Sequence, residues 1–196
     1  KAVEDEDGNV QNTAIQSLKN IQTPQTIQLL RKLAKDRYPE EALAAISTLG
    51  EIDISEAIQV LLEVHRYSYE FDYLNEYKQK RITDLLRDDC VFPILCEALI
   101  KGNSNQQVEA AWALGVVGNP EAIELLGNAL KSGDSRIRNK SARALGKIRN
   151  SKAIPVLIEH ITDEEWRVRW SIASSFGLIA DTQAIPAILQ LCSDPH

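Results

Sequence analysis

Along this chain, apolar and small residues return at i, i+3, i+4 and i+7 with polar residues between them, a spacing that predicts one amphipathic helix after another. A longer period lies on top of the helical one. Five segments carry an Ala or other small residue, a central Leu-Gly or its equivalent four residues later, and Ile or Val three beyond that. The central residues are Leu18, Leu49, Leu114, Leu145 and Phe176, at intervals of 31, 65, 31 and 31 residues, with a degenerate copy at Leu85 inside the long gap. Self-similarity at about 30 residues marks a solenoid, in which each unit buries one face only by stacking on its neighbours. The expected architecture is all-α: a right-handed α-solenoid of about five to six helical hairpins, running as a single array over residues 1–196. Function is then to be sought along a surface.

The copy around Leu145 gives the grammar of one unit. A first helix is predicted over Ala122–Leu130 and a second over Ser135–Ile148, joined by Lys131-Ser132-Gly133-Asp134. Gly133 can take positive φ after the first helix, and Asp134 stands where it can cap the second. The same order returns as Ala153-Ile154-Pro155, Thr162-Asp163-Glu164 and Arg167–Ile179, then from Ala184-Ile185-Pro186. Pro155 and Pro186 fall in the first turn of a helix, where a missing N–H is harmless. Gly115, Gly146 and Gly177 follow the central apolar residue; glycine weakens a helix interior, so its return at one register implies close approach of a neighbouring helix.

One segment breaks the period. Residues 65–80 read as an aromatic-rich insertion containing Tyr67, Tyr69, Tyr73 and Tyr77. It is open to two readings, an extended helix pair covering a thin part of the core or a partner-binding surface.

Composition narrows the function classes. A 44% hydrophobic chain with 26% charged residues can bury a continuous core. The net charge of −6, concentrated in Glu4–Asp7, Glu70–Glu76 and Asp163–Glu165, disfavours a nucleic-acid partner. No apolar run reaches the roughly 18–20 residues of a membrane span, and the charged start Lys1–Gly8 is unlike a signal peptide. Three cysteines without a paired framework suit a reducing compartment, the cytoplasm or a plastid stroma. The lack of any Met and a stop where the next inter-repeat turn would begin point to a piece of a longer protein. Dispersed histidines and a lone pair of cysteines six apart indicate no metal site. Cys192 reads as a packing residue on an apolar helix face.

The segments Asn139–Ile148 and Ala153–Ile158 closely resemble HEAT-like repeats of the phycobilisome-lyase type, a resemblance that covers nearly the whole chain. Asp163-Glu164-Glu165-Trp166-Arg167-Val168-Arg169-Trp170 is similar to the last-repeat segment of the E/F-type phycobilin lyases, which attach or remove linear tetrapyrroles on phycobiliprotein cysteines. The resemblance implies a phycobilin lyase subunit or chaperone. Its partners would be a phycobiliprotein subunit and a second HEAT-like lyase subunit; it would hold no tight cofactor, and a linear tetrapyrrole would be its possible substrate. If the chain is an enzyme, it is a bilin–phycobiliprotein carbon–sulfur lyase. The alternative is a non-enzymatic HEAT-repeat adaptor. Iron-dependent deoxyhypusine hydroxylases share a HEAT-like scaffold but carry repeated His-Glu pairs, which this sequence lacks.

In repeats of this kind the second helices line a groove. Two residues before each central position stand Ser47, Thr83, Trp112, Arg143 and Ser174; a turn earlier come Val108 with Glu109, Asn139 with Lys140, and Trp170 with Ser171. A linear tetrapyrrole offers two propionates, a conjugated system and pyrrole N–H groups. Lys140 and Arg143 could take the propionates, Trp112, Trp166 and Trp170 the rings, and Glu109 or Asp134, the candidate catalytic carboxylates, the pyrrole nitrogens. Trp166 and Trp170 could instead close the end of the solenoid against a further repeat or a partner. Arg138 and Arg169 recur at one register and are expected to bond the preceding turn's Asp134 or Glu165 as a structural ladder.

Overall fold

The computed structural model describes residues 8–35, 39–52 and 91–194, together with residues 58, 60, 62, 84 and 86. Among these every regular element is helical, so the all-α repeat fold of the solenoid class stands. The chain forms two compact units, Lys1–Ile94 and Leu95–His196.

In the first unit, α1 (Gly8–Ser17) and α2 (Pro24–Ala34) pack on α3 (Pro39–Glu51). Thr23 caps α2 by accepting from the Thr26 N–H, and Pro24 occupies the first turn, where it forfeits no hydrogen bond. Ile15, Leu30, Ile46 and Leu49 are fully buried. Leu18 departs from the sequence reading. Helix α1 stops at Ser17, Leu18 begins a 3₁₀ turn and is only half-buried, and Ile15, one turn earlier, fills the core in its place. Lys19 in that turn reaches Glu51 at the end of α3 at 2.8 Å.

The second unit takes up the chain within α4 (Val91–Lys101) and continues through α5 (Ser104–Val117), α6 (Ala122–Ala129), α7 (Ser135–Ile148), α8 (Ala153–Ile158), α9 (Trp166–Ile179) and α10 (Ile185–Leu191). The second helices α5, α7 and α9 lie side by side, with α7 in the middle. Their central residues Leu114, Leu145 and Phe176 are all buried, as the 31-residue register requires. The glycines beside them permit the approach: a Cβ on Gly115 would stand 2.7 Å from Ala144 Cα, and one on Gly146 would stand 2.4 Å from Ser175 Oγ. Gly127 does the same between the first helices, against Val156.

Two local expectations are corrected. Positive φ falls not at Gly133 but at the ends of the second helices, at Gly118, Arg149 and Ala180, again 31 residues apart. The chain reverses there after a full-length helix, and a left-handed residue closes the last turn. The arginine ladder exists, but it runs forward. Arg138 pairs with Asp163 of the next hairpin while donating to the carbonyls of Ser132 and Gly133 in its own preceding turn. Arg169 repeats the arrangement with Asp194 and the carbonyls of Asp163 and Glu164. Asp134 and Glu165 are already engaged as the caps of α7 and α9, which is why they do not serve as partners.

Candidate functional site

The open face of α5 and α7 gathers most of the groove residues. Glu109, 8% exposed, lies on α5 beside Lys140 of α7, whose amine senses its charge. Trp112, one turn along α5, is half-buried, and the Lys147 ammonium stands over its ring 5.7 Å from the centroid. Arg143 is exposed between the two lysines on α7. Lys140, Arg143 and Lys147 therefore follow one another at i, i+3 and i+7 on one helical stripe. Burial, then Arg143, pulls the Lys140 amine below the ordinary lysine range, with Glu109 opposing; burial, Arg143 and Lys140 do the same to Lys147. The structure thus brings together Glu109, Trp112, Lys140 and Arg143, and adds Lys147. Lys147 escaped the sequence reading because it follows Gly146 in the last turn, where a lysine is ordinary helix-end chemistry. Its spacing of four from Arg143 was the available signal.

The remaining candidates lie elsewhere. Asp134 is the N-cap of α7: it accepts from the Arg136 N–H and holds the Arg136 guanidinium at 2.7 Å, and that hydrogen bond keeps its carboxyl below the usual range. Its chemistry is that of a cap and a fixed anion. Trp166 and Trp170 open α9 and are 43% and 57% exposed, so both stand outside the core as expected, with Arg167 over the Trp166 ring at 4.7 Å. Near them the repeat loses its cover. Gly177 has nothing within 4 Å of its would-be Cβ, and Ile185 and Ile188 are exposed where their counterparts Ile154 and Leu157 are buried. Cys192 at the end of α10 is exposed rather than packed. Tyr67, Tyr69, Tyr73 and Tyr77 lie outside the described residues. Among the described residues no group of three or more His, Cys, Asp or Glu side chains is placed to hold a metal, and no helix is long and apolar enough to cross a membrane.

Stacked helical hairpins with successive second helices side by side define a helical-repeat protein of the solenoid class. The HEAT repeat family model matches residues 1–70 and 92–175, more than half of the sequence. The chain belongs to the HEAT repeat family. Residues 168–194, from Val168 of α9 to Asp194 beyond α10, match the PBS lyase HEAT-like repeat. No curated protein matches significantly. Among solved structures, Kap121p is 13% identical with a TM-score of 0.59, over 96% of this chain and 26% of that one, a likeness of fold. Looser likenesses include human deoxyhypusine hydroxylase, 20% identical over 91% of this chain and 82% of that one, TM-score 0.47. The CpcE–CpcF complex of phycocyanin lyase from Nostoc sp. PCC7120 is 18% identical over 95% and 77%, TM-score 0.40.

Proposed function

We propose that this protein is a phycobilin lyase subunit or lyase chaperone, which binds a phycobiliprotein subunit together with a linear tetrapyrrole and assists thioether attachment. The observation that carries the reading is the match of residues 168–194 to the PBS lyase HEAT-like repeat, in a unit whose neighbouring second helices present Trp112, Lys140, Arg143 and Lys147 on one face. The attacking thiol belongs to the acceptor protein. Its sulfur bonds to the ethylidene carbon of the bilin while a proton is delivered to the conjugated system, a net addition that needs no oxidant. This chain's part is to hold the bilin in one conformation and manage that proton. Lys140 and Arg143 offer charge to the propionate side of the bilin, Trp112 offers its face to the rings, and Glu109, a nearly buried carboxylate beside Lys140, handles the proton. The uncovered end at Gly177, Ile185 and Ile188 suits a second HEAT-like subunit. The setting is the cytoplasm or a plastid stroma.

The exposed apolar residues of α9 and α10 also support the other reading, a non-enzymatic adaptor that binds protein alone. Co-expression with a phycobiliprotein subunit and a bilin source, with and without a second HEAT-like subunit, separates the two. The lyase reading predicts covalent pigment on the phycobiliprotein, slowed by Glu109→Gln without loss of pigment binding. A stable protein complex that never carries or transfers pigment is the adaptor's result and rejects the lyase.

A further inference from the structure

The cations of this unit divide into two kinds. Of the five arginines on α7 and α9, four have carboxylate partners: Arg136 with Asp134, Arg138 with Asp163 and Glu164, Arg167 with Glu165, and Arg169 with Asp194. Arg143 makes no hydrogen bond or ion pair among the described residues, and Lys147 has only the Trp112 ring. The 31-residue register separates the two kinds again. Arg138 recurs as Arg169 in the same ladder, which marks it as part of the scaffold. The counterparts of Arg143 are Trp112 and Ser174, and those of Lys147 are Val116 and Leu178. The stacking of hairpins therefore does not call for cations at these positions. In a chain of net charge −6 Arg143 and Lys147 form a local reversal of sign, and with Lys140, which has Glu109 beside it, they repel one another along the helix.

We infer that this stripe recognises a conjugated ligand through two carboxylates, one held between Lys140 and Arg143 and the other by Lys147, which leaves the face of Trp112 to reach it. The inference rests on the proposed pigment site and adds how that site selects its ligand. Lys140 and Lys147 are two helical turns apart, about 10 Å along the axis, a span suited to two propionates carried on neighbouring rings. Without ligand, Lys147 covers the half-buried indole. A carboxylate within reach offers it a charge-assisted hydrogen bond, stronger than the contact with the ring, and the move exposes the indole face to the ligand's π-system. Arg143 and Lys140 on the same stripe work in the same direction, because an anion relieves the repulsion among like charges.

The test compares biliverdin, a free diacid, with biliverdin dimethyl ester, the same skeleton without the charges. Pigment absorbance and tryptophan emission are followed in the intact chain, with a phycobiliprotein subunit present. The diacid is expected to bind at least about tenfold tighter than the ester. Lys147→Gln and Arg143→Gln should each weaken the diacid by about fivefold or more and leave the ester unchanged. Lys131→Gln, on an exposed turn away from the stripe, should change neither, and Trp112→Phe should remove the emission change. Unchanged helical circular dichroism in each variant excludes unfolding as the cause. Equal binding of acid and ester, or indifference to Lys147→Gln, overturns the carboxylate recognition while leaving a pigment site standing. Binding of neither pigment overturns both.

Discussion

Arg138 on α7 grips Asp163 of the next hairpin with two hydrogen bonds, Nε to Oδ2 at 2.8 Å and Nη2 to Oδ1 at 3.0 Å, the two side chains being 8% and 6% exposed. A parallel, bidentate pair this well buried converts the stacking of repeats into a fixed register. Removing Asp163 leaves the buried guanidinium with only the exposed Glu164 and the carbonyls of Ser132 and Gly133. Asp163→Ala should therefore cost about 3 kcal/mol of stability, read from the urea midpoint at constant slope. Arg138→Met combined with Asp163→Leu should recover most of that loss, and if the double variant is no better than the single, the pair is not the source of the cost.

Gly146 and Gly177 occupy the same register in successive helices but have opposite surroundings. The Cβ of Gly146→Ala would press on Ser175, whose hydroxyl is tied to the carbonyls of Ala142 and Ser171, so the neighbour cannot yield cheaply. A loss of about 1–3 kcal/mol is expected. Gly177→Ala meets open space and should gain roughly 0.5–1 kcal/mol from helix propensity. Thermal unfolding of the two variants side by side checks the contrast.

The left-handed position that ends α5, α7 and α9 is filled by Gly118, Arg149 and Ala180 in turn. A side chain there crowds the following carbonyl, a strain that glycine escapes. Ala180→Gly is expected to stabilise by roughly 0.5 kcal/mol, after glycine's greater unfolded-state freedom is deducted. A fall in midpoint temperature would show that the strain is not the larger effect.

The sequence made the repeat legible because burial follows period. Leu49, Leu114, Leu145 and Phe176 are core residues at the positions the register names. What it could not show is which neighbour a polar side chain chooses. Spacing alone turns Arg138 back to Asp134, four residues away, but that carboxylate is taken by the N–H and guanidinium of Arg136, and the acceptor Arg138 reaches lies 25 residues on in the next turn. The candidate site shows the same division. Trp112, Lys140 and Arg143 could be picked out because they break the apolar register, whereas Lys147, four residues from Arg143, stands out once α5 places the Trp112 ring beneath it.

Asp134 gives a pH signature. Its folded-state pKa is lowered by Arg136, so its contribution is complete above the unfolded value of about 3.9 and disappears as pH falls through the folded value. Asp134→Ala should cost about 1 kcal/mol at neutral pH through loss of the cap. The gap between wild type and variant should close below pH 4 in acid-titrated urea unfolding; a gap that persists there would assign the effect to packing.

The most direct measurement of the central claim is a spectral titration of the intact protein with a free linear tetrapyrrole, with and without an apo-phycobiliprotein subunit, in wild type and in Arg143→Ala. The account predicts a saturable red shift that Arg143→Ala weakens or abolishes while the helical signal is unchanged. No spectral change under any condition, with the phycobiliprotein subunit co-eluting all the same, would contradict the pigment site and leave a protein-binding HEAT array.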